Sequence, residues 1–360
     1  MSEPLRVAVV GAGVGVNHIE AYNSLPDLFA VDVLCDIDAA KAGTIAAEHG
    51  ISQTTSRFDD LLAGDLDIID ICTPPSLHFD QAKQALLAGK HVVVEKPFTR
   101  SLAEADELAA VERESGRRCC PIFQYRFGNG ISQLLHLRDR GLAGQAYVAT
   151  VETHWRRTAA YYDNPWRGRW ATELGGSLVA HAIHSHDILT YVLGPAKTVF
   201  ARAATRVNPI ETEDCAAIAL EMEDGSLVTL SVTLGAEEDM SRLRFCFAGL
   251  TAESNRSPYN PGTTPWTFTA ADPARQTEVD AAVAEVPVLP ERNAGQFLRL
   301  HTALTDGGPL PVSIADARAS LELATAAYYS ARTDAVVTLP LDRDHPLYEG
   351  WLPETAKEEA

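Results

Sequence analysis

Three groups of residues in this chain have types and spacings that could do chemistry. Gly11-Ala12-Gly13-Val14-Gly15 follows the apolar run Leu5 to Val10 and opens a helical pattern. Backbone amides and the positive end of such a helix can face a pyrophosphate, and glycine leaves no side chain in its way. The usual fingerprint places a third glycine three residues after the second. Here position 16 is valine and Gly15 comes early, so a turn shortened by one residue is expected. Asp36 ends the next apolar run, a little over ~20 residues past the glycines, where a carboxylate accepts from both ribose hydroxyls and repels a 2′-phosphate. NAD is therefore favoured over NADP. The plain alternative is a glycine turn without a ligand and an aspartate that only caps its strand.

A second group lies on two later strand ends. Ile71-Cys72-Thr73-Pro74-Pro75-Ser76-Leu77-His78 follows one apolar run, and His91-Val92-Val93-Val94-Glu95-Lys96-Pro97 covers the next. In a doubly wound sheet ligands bind at the carboxyl edge, so Thr73, Pro74, His78, Glu95 and Lys96 are expected to border the cofactor.

The third group is His181-Ala182-Ile183-His184-Ser185-His186-Asp187, the densest set of titratable side chains in the chain. At helical spacing His181, His184 and Asp187 can share one face while His186 points elsewhere. Imidazole and carboxylate are also common zinc ligands, which would make a hydrolase. Helical geometry spreads four such ligands around the axis, so no metal is expected. Local hydrogen bonding is the competing reading for His186 and Asp187. Upstream, Trp155-Arg156-Arg157 and Pro165-Trp166-Arg167-Gly168-Arg169-Trp170 place indole faces beside guanidinium donors. Such surfaces suit sugar rings, with Arg donating to hydroxyls or to an anion, and suit subunit contacts as well.

These groups need elements to hold them. Apolar runs at Leu5 to Val10, Phe29 to Cys35, Ile68 to Cys72 and His91 to Val94 alternate with helical patterns such as His78 to Ala88 and Leu102 to Ser115, the signature of a parallel doubly wound sheet. Arg117 to Phe123 is its last expected strand. Beyond it come a helix (Ile131 to Arg140), a strand (Ala146 to Trp155), a helix over Ser177 to Leu193, and the strands Cys215 to Met222, Leu227 to Leu234 and Arg242 to Ala248 around an Asp-Gly hairpin turn. A long surface excursion is expected from Glu253 to about Pro273, then helices at Ala294 to Leu304 and Ile314 to Ala331. The fold class is therefore α/β: a Rossmann domain over residues 1–123, and an α+β domain over 124–360 with a large, open-faced, mostly antiparallel sheet.

With 360 residues the chain is large enough for two cores. Its net charge of −19 repels phosphate backbones and anionic headgroups, which argues against nucleic-acid and membrane partners. No apolar run reaches bilayer length and the N-terminus lacks a signal-peptide profile, so a cytoplasmic location is expected. The six cysteines are scattered without a Cys-x-x-Cys pair and read as buried thiols. The acidic tail Glu354 to Ala360 is expected to be mobile.

The linked motifs strongly resemble the glucose-fructose oxidoreductase, inositol dehydrogenase and MocA-like (Gfo/Idh/MocA) family. The Thr73-Pro74…His78 and Glu95-Lys96-Pro97 segments carry the likeness, followed in order by Phe123-Gln124-Tyr125-Arg126-Phe127, Gly141 to Gln145, and Gly175-Gly176-Ser177-Leu178 running to His184 and Asp187. The resemblance implies an NAD(P)-dependent oxidoreductase acting on a CH–OH group of a sugar, polyol or sugar derivative. It places Lys96 beside the nicotinamide in proton transfer, and a positively charged ring nearby would bring its pKa towards that of a working base. It implies a catalytic His184 and, in many members, an aspartate four residues earlier; here that position is Ala180. Gln124, Trp166 and Arg167 join Gly11, Gly13, Val14, Gly15 and Asp36 on the cofactor side. Arg126, Trp155 and His181 join Lys96 and His184 on the substrate side. A homodimer or homotetramer through the C-terminal sheet is also expected. Two other functions stay open: a non-catalytic NAD- or sugar-binding sensor, to which Ala180 lends weight, and the metal-dependent hydrolase.

Overall fold

The computed structural model of the protein describes residues 3–353, so the tail Glu354 to Ala360 lies outside the described residues. Contacts divide the chain into two compact units: the stretch up to Phe123 with Asn293–Arg318, and Gln124–Arg292 with the chain from Ala319 on.

The first unit alternates strand and helix: β1 (Leu5–Val10), α1 (Gly15–Asn23), β2 (Phe29–Cys35), α2 (Ala39–His49), β3 (Gln53–Thr55), α3 (Asp59–Leu62), β4 (Ile68–Ile71), α4 (His78–Leu87), β5 (His91–Val94), α5 (Leu102–Ser115) and β6 (Cys119–Pro121). The strands form one parallel sheet in the order β3-β2-β1-β4-β5-β6. Its central strands read as apolar runs, broken in β4 by Asp70, because both faces are covered; Val7, Val9, Ile68, Ile69, Ile71, Val93 and Val94 are wholly buried. Helix ends follow local chemistry. Asp38 caps α2 by accepting from the Lys41 amide at 3.0 Å, and Ser101 caps α5 by accepting from Glu104 at 3.1 Å. The strand order reverses between β1 and β4, which opens a crevice at their carboxyl ends.

The second unit holds α6 (Asn129–Asp139), β7 (Ala146–Arg156), α7 (Trp170–Glu173), a π-helical turn (Ser177–Ala182), α8 (Ile183–Leu193), β8 (Ala196–Ala204), β9 (Cys215–Met222), β10 (Leu227–Thr233), β11 (Gly235–Phe247), β12 (Leu250–Glu253), β13 (Thr267–Ala270) and α9 (Gln276–Ala284). With β14 (Val337–Thr338) the strands make an eight-stranded sheet, β13-β12-β11-β7-β10-β9-β8-β14, antiparallel except where β7 meets β10. Burial alternates along β9 and β10 because one face packs on helices and the other stays open.

The structure departs from the sequence expectations in four places. Residues 293–318 join the first unit, although 124–360 had read as one domain. The cause lies in α10 (Arg292–Asp306), whose Phe297 stacks on Tyr22 at 4.1 Å and whose Gln296 donates to Pro121 O at 2.7 Å. The segment from Glu253 is not a surface excursion: it contains β13, and Trp266 turns inward against Gly130, where a Cβ would lie 2.1 Å from the indole. The strand expected from Arg242 begins at Gly235, because β11 pairs with β7 back to Arg156. The single helix expected from Ser177 breaks into the π-helical turn and α8.

Candidate active site

Cradle geometry comes first. Gly11 has φ +103°, and a Cβ there would stand 2.5 Å from the Cys72 carbonyl oxygen, so only glycine lets the β1 and β4 ends approach this closely. A Cβ on Gly13 would meet nothing within 4 Å, which leaves open space over the turn. Gly15 starts α1 and packs on Val9, 2.8 Å from its would-be Cβ, taking up the helix–strand contact that a later glycine usually makes. Val14 precedes the helix without a side-chain cap. Asp36 accepts from the Ala12 amide at 2.6 Å and from Asp38 N at 2.9 Å, which fixes its carboxylate at the end of β2. An open turn, an uncapped helix start and an anchored carboxylate fit a dinucleotide.

On the same edge Thr73 donates to Gln81 at 2.7 Å. His78 is fully buried; its ring nitrogens lie 2.8 Å from the Thr73 and Pro97 carbonyl oxygens, so it braces the β4 loop against the segment that carries Lys96. Glu95 accepts from the Lys96 amide at 3.0 Å. Lys96 itself is half-buried.

Beneath this edge lies a cluster around His18 that none of the sequence motifs flags. His18 Nδ1 is 2.8 Å from Asp70, its Nε2 is 3.2 Å from Glu95, and Cys72 Sγ is 3.3 Å from the ring, all buried. Burial opposes the imidazolium, but the charge of Asp70 and the hydrogen bonds to Asp70 and Cys72 outweigh it and raise the His18 pKa well above the usual value. His18, Asp70 and Cys72 bring three possible metal-ligand atoms within 4.8 Å of one another. Zinc at about 2.0–2.3 Å would hold its tetrahedral donors roughly 3.3 Å or more apart, so a 2.8 Å separation is a hydrogen-bonded ion pair. A sequence signal existed: Asp70 interrupts the buried strand Ile68-Ile69-Asp70-Ile71, and a buried carboxyl requires a partner.

In the second unit the π-helical turn presents His181 and leads into α8 with His184. The buried Glu213 carboxylate, accepting from the Gly176 and Leu178 amides at 3.1 and 2.9 Å and from the Tyr328 hydroxyl at 3.0 Å, holds the start of that turn. His181 Nε2 lies 3.2 Å from the Tyr161 hydroxyl, and the Trp155 ring meets His181 edge-on at 5.4 Å. Arg167 also donates to the Tyr161 hydroxyl, and its guanidinium lies 4.3 Å from the Trp166 ring centre. His184 is buried and stacks on Tyr125 with centroids 4.6 Å apart.

Other expected residues are placed differently. Arg126, expected on the substrate side, is buried and grips Asp187 with two 2.6 Å hydrogen bonds; Ser320 donates to the same carboxylate at 3.1 Å. Asp187 therefore does not assemble a metal site with the histidines. Burial lowers the His186 pKa to about 4, and neither ring nitrogen has a partner among the described residues. Gln124 Oε1 is likewise buried without a partner among them, an acceptor that suits a ligand's donor. Tyr161, Asp239 and Tyr259, which the sequence did not flag, complete the polar side of this region. No helix among the described residues is long and apolar enough to cross a membrane.

Comparison with known proteins identifies the family. Residues 5–123 match the Gfo/Idh/MocA oxidoreductase family with its NAD-binding Rossmann fold, and residues 131–252 match the Gfo/Idh/MocA C-terminal domain. A D-glucoside 3-dehydrogenase of Escherichia coli is 34% identical over 58% of this chain; the match spans 60% of that relative, less than two thirds of its length. A 4-carboxy-2-hydroxymuconate-6-semialdehyde dehydrogenase of Sphingobium is 30% identical over 64% of this chain and 72% of its own. The crystal structure of the WlbA dehydrogenase from Bordetella pertussis, in complex with NADH and UDP-GlcNAcA, superposes with a TM-score of 0.83 at 26% identity, covering 94% of this chain and all of that one. The chain belongs to the Gfo/Idh/MocA family of oxidoreductases, with an NAD-binding Rossmann fold in its first unit and the family's C-terminal domain in its second.

Proposed function

We propose that the protein is an NAD-dependent dehydrogenase acting on a CH–OH carbon of a sugar, polyol or sugar derivative, with Lys96 and His184 handling the hydroxyl proton. The observation that carries this reading is the placement of Lys96. It follows β5 on the same carboxyl edge as the glycine cradle, where His78 and Glu95 brace the backbone on either side of it. Bound NAD supplies the hydride-accepting ring. The chain's residues orient both reactants and manage the proton. Asp36 selects the unphosphorylated ribose. Ala180 offers no carboxylate, and the His181–Tyr161–Arg167 chain supplies polar contacts in its stead. The dehydrogenase relatives support the reaction class, and the indole and phenol faces around His181 support a sugar ring.

Lys96→Met tests the assignment. Turnover is expected to fall by about 10²–10⁴-fold, the usual weight of a positioned acid–base group, with NADH affinity unchanged by fluorescence titration. Undiminished turnover removes Lys96 from the mechanism. A non-catalytic sugar or NAD sensor is the second reading, favoured by Ala180; binding of polyols and sugars without any change at the nicotinamide absorbance band would select it. The hydrolase reading is not favoured: it loses the carboxylate of its ligand set, because Asp187 is taken by Arg126.

The same proposal takes the open sheet face, where Tyr147, Val148 and Leu227 are exposed, as the contact between copies of the chain. Sedimentation velocity is expected to show a dimer or tetramer, and a monomer at all concentrations refutes it.

A further inference from the structure

The side-chain cluster beside His181 narrows the substrate class. An open cavity of about 550 Å³ is lined by Arg156, Arg157, Tyr161, Glu237, Asp239 and Tyr259. Arg157 lies 5.0 Å from the Trp155 ring centre and 5.1 Å from that of Tyr161, so its guanidinium is boxed by aromatic faces. Its Nη1 donates to Asp239 at 3.2 Å and its Nη2 to the Tyr259 hydroxyl at 2.9 Å; that hydroxyl donates on to Asp239 at 3.1 Å. The Arg156 amide adds a further hydrogen bond to the same carboxylate. Partial burial opposes the charge on Asp239, but these donors prevail and hold its pKa below the usual carboxylate range.

The same pairing repeats around the cavity. Arg156 faces Glu237 at 3.3 Å, and Arg167, behind Tyr161, faces Glu173 at 3.2 Å. Arg156 and Glu237 are exposed and their pairing is weak, whereas Arg157, boxed by the rings, has its charge matched by Asp239 before any ligand arrives. Hydroxyls meet a different surface: Asp239 and Tyr259 accept from them, the Tyr161 hydroxyl can donate or accept, and the rings cover an apolar sugar face.

We propose that this cavity takes a neutral sugar ring and discriminates against uronates and sugar phosphates, with Asp239 as the residue that sets the preference. An acidic substrate has to displace Asp239 from Arg157 or sit beside it as a like charge, and specificity arises from that repulsive element. The inference rests on the sugar-dehydrogenase reading and deepens it. Binding, not turnover, is therefore measured, so that the two can fail separately.

The test is calorimetric titration of the full chain, with NADH present, using matched pairs of glucose and glucuronate, galactose and galacturonate, and mannose and mannuronate. At least one neutral member is expected to bind about tenfold or more tightly than its acid. Asp239→Asn keeps one acceptor oxygen, removes the charge and exposes Arg157 to an incoming carboxylate. Its ratio is expected to shift about tenfold towards the acid. The proposal is overturned if the wild-type protein binds an acid as tightly as its neutral partner, if no pair binds, or if folded Asp239→Asn leaves the ratio unchanged. Should the variant fail to fold by circular dichroism, the wild-type ratios decide. Binding with the expected preference but without any turnover on NAD⁺ sinks the dehydrogenase reading and leaves this one standing.

Discussion

Asp70 and Glu95 in the first unit flank the His18 ring at 2.8 and 3.2 Å, whereas Glu213 in the second accepts from neutral donors, two backbone amides and a tyrosine hydroxyl. Both arrangements are buried, and both fix a segment that carries a candidate site residue. Glu95 holds the Lys96 amide, and Glu213 holds the turn that presents His181. Their charge states differ. Asp70 and Cys72 outweigh the cost of burial and raise the His18 pKa, so the first cluster keeps its cation. Burial pushes Glu213 up to about 7, because amide donors only partly replace the water it has lost. An amide-lined carboxylate is thus left able to titrate near neutral pH, while its counterpart under the cofactor turn is tied into an ion pair.

The largest test of this contrast removes the cation. His18→Leu removes the cation between Asp70 and Glu95, and breaking a buried ion pair from one side costs about 3–5 kcal/mol. Urea denaturation at pH 6 is expected to show a loss of that order. Because the folded pKa of His18 is raised, its contribution is complete below the unfolded value of about 6.5 and is lost only as pH climbs through the folded value. The gap between wild type and variant is therefore expected to narrow towards alkaline pH. A loss under 1 kcal/mol at pH 6 would make the two clusters equivalent and end the comparison.

How far each region could be read from sequence follows from how local its contacts are. Gly11 to Gly15, Asp36 and Lys96-Pro97 are contiguous signals at strand ends, and the apolar runs before them fix the parallel sheet. The His18 pair spans 52 residues, and only the aspartate inside Ile68-Ile69-Asp70-Ile71 hints at it. The second unit is harder. Arg157 meets Tyr259 across 102 residues and Asp239 across 82, so nothing near Trp155-Arg156-Arg157 shows that its guanidiniums are already paired. The break before α8 depends on Glu213, which reaches Leu178 across 35 residues. Period alone therefore read Ser177 to Leu193 as a single helix. Residues 293–318 misled for the same reason: an amphipathic helix shows that it has a buried face but not which sheet covers it.

The smaller test addresses the amide-lined carboxylate. A folded pKa raised from the ordinary 4.5 to about 7 means that the native chain binds the Glu213 proton more tightly than the unfolded chain does. Stability from this group is accordingly greatest at acid pH, falls as pH rises between those two values and levels off above, by roughly 3 kcal/mol at most at 1.36 kcal/mol per unit. Glu213→Gln keeps an acceptor for Leu178 and Tyr328 but cannot ionise. Its thermal stability is expected to match wild type near pH 5 and to exceed it near pH 8, with the difference opening around neutrality. Parallel pH profiles for the two proteins would mean that the amide and hydroxyl donors alone keep Glu213 charged. Because Glu213 anchors the π-helical turn, a desolvated charge there favours opening of the turn to water, so the variant's benefit at pH 8 is expected in the hydrogen-exchange protection of the Gly176 and Leu178 amides as well as in the melting temperature.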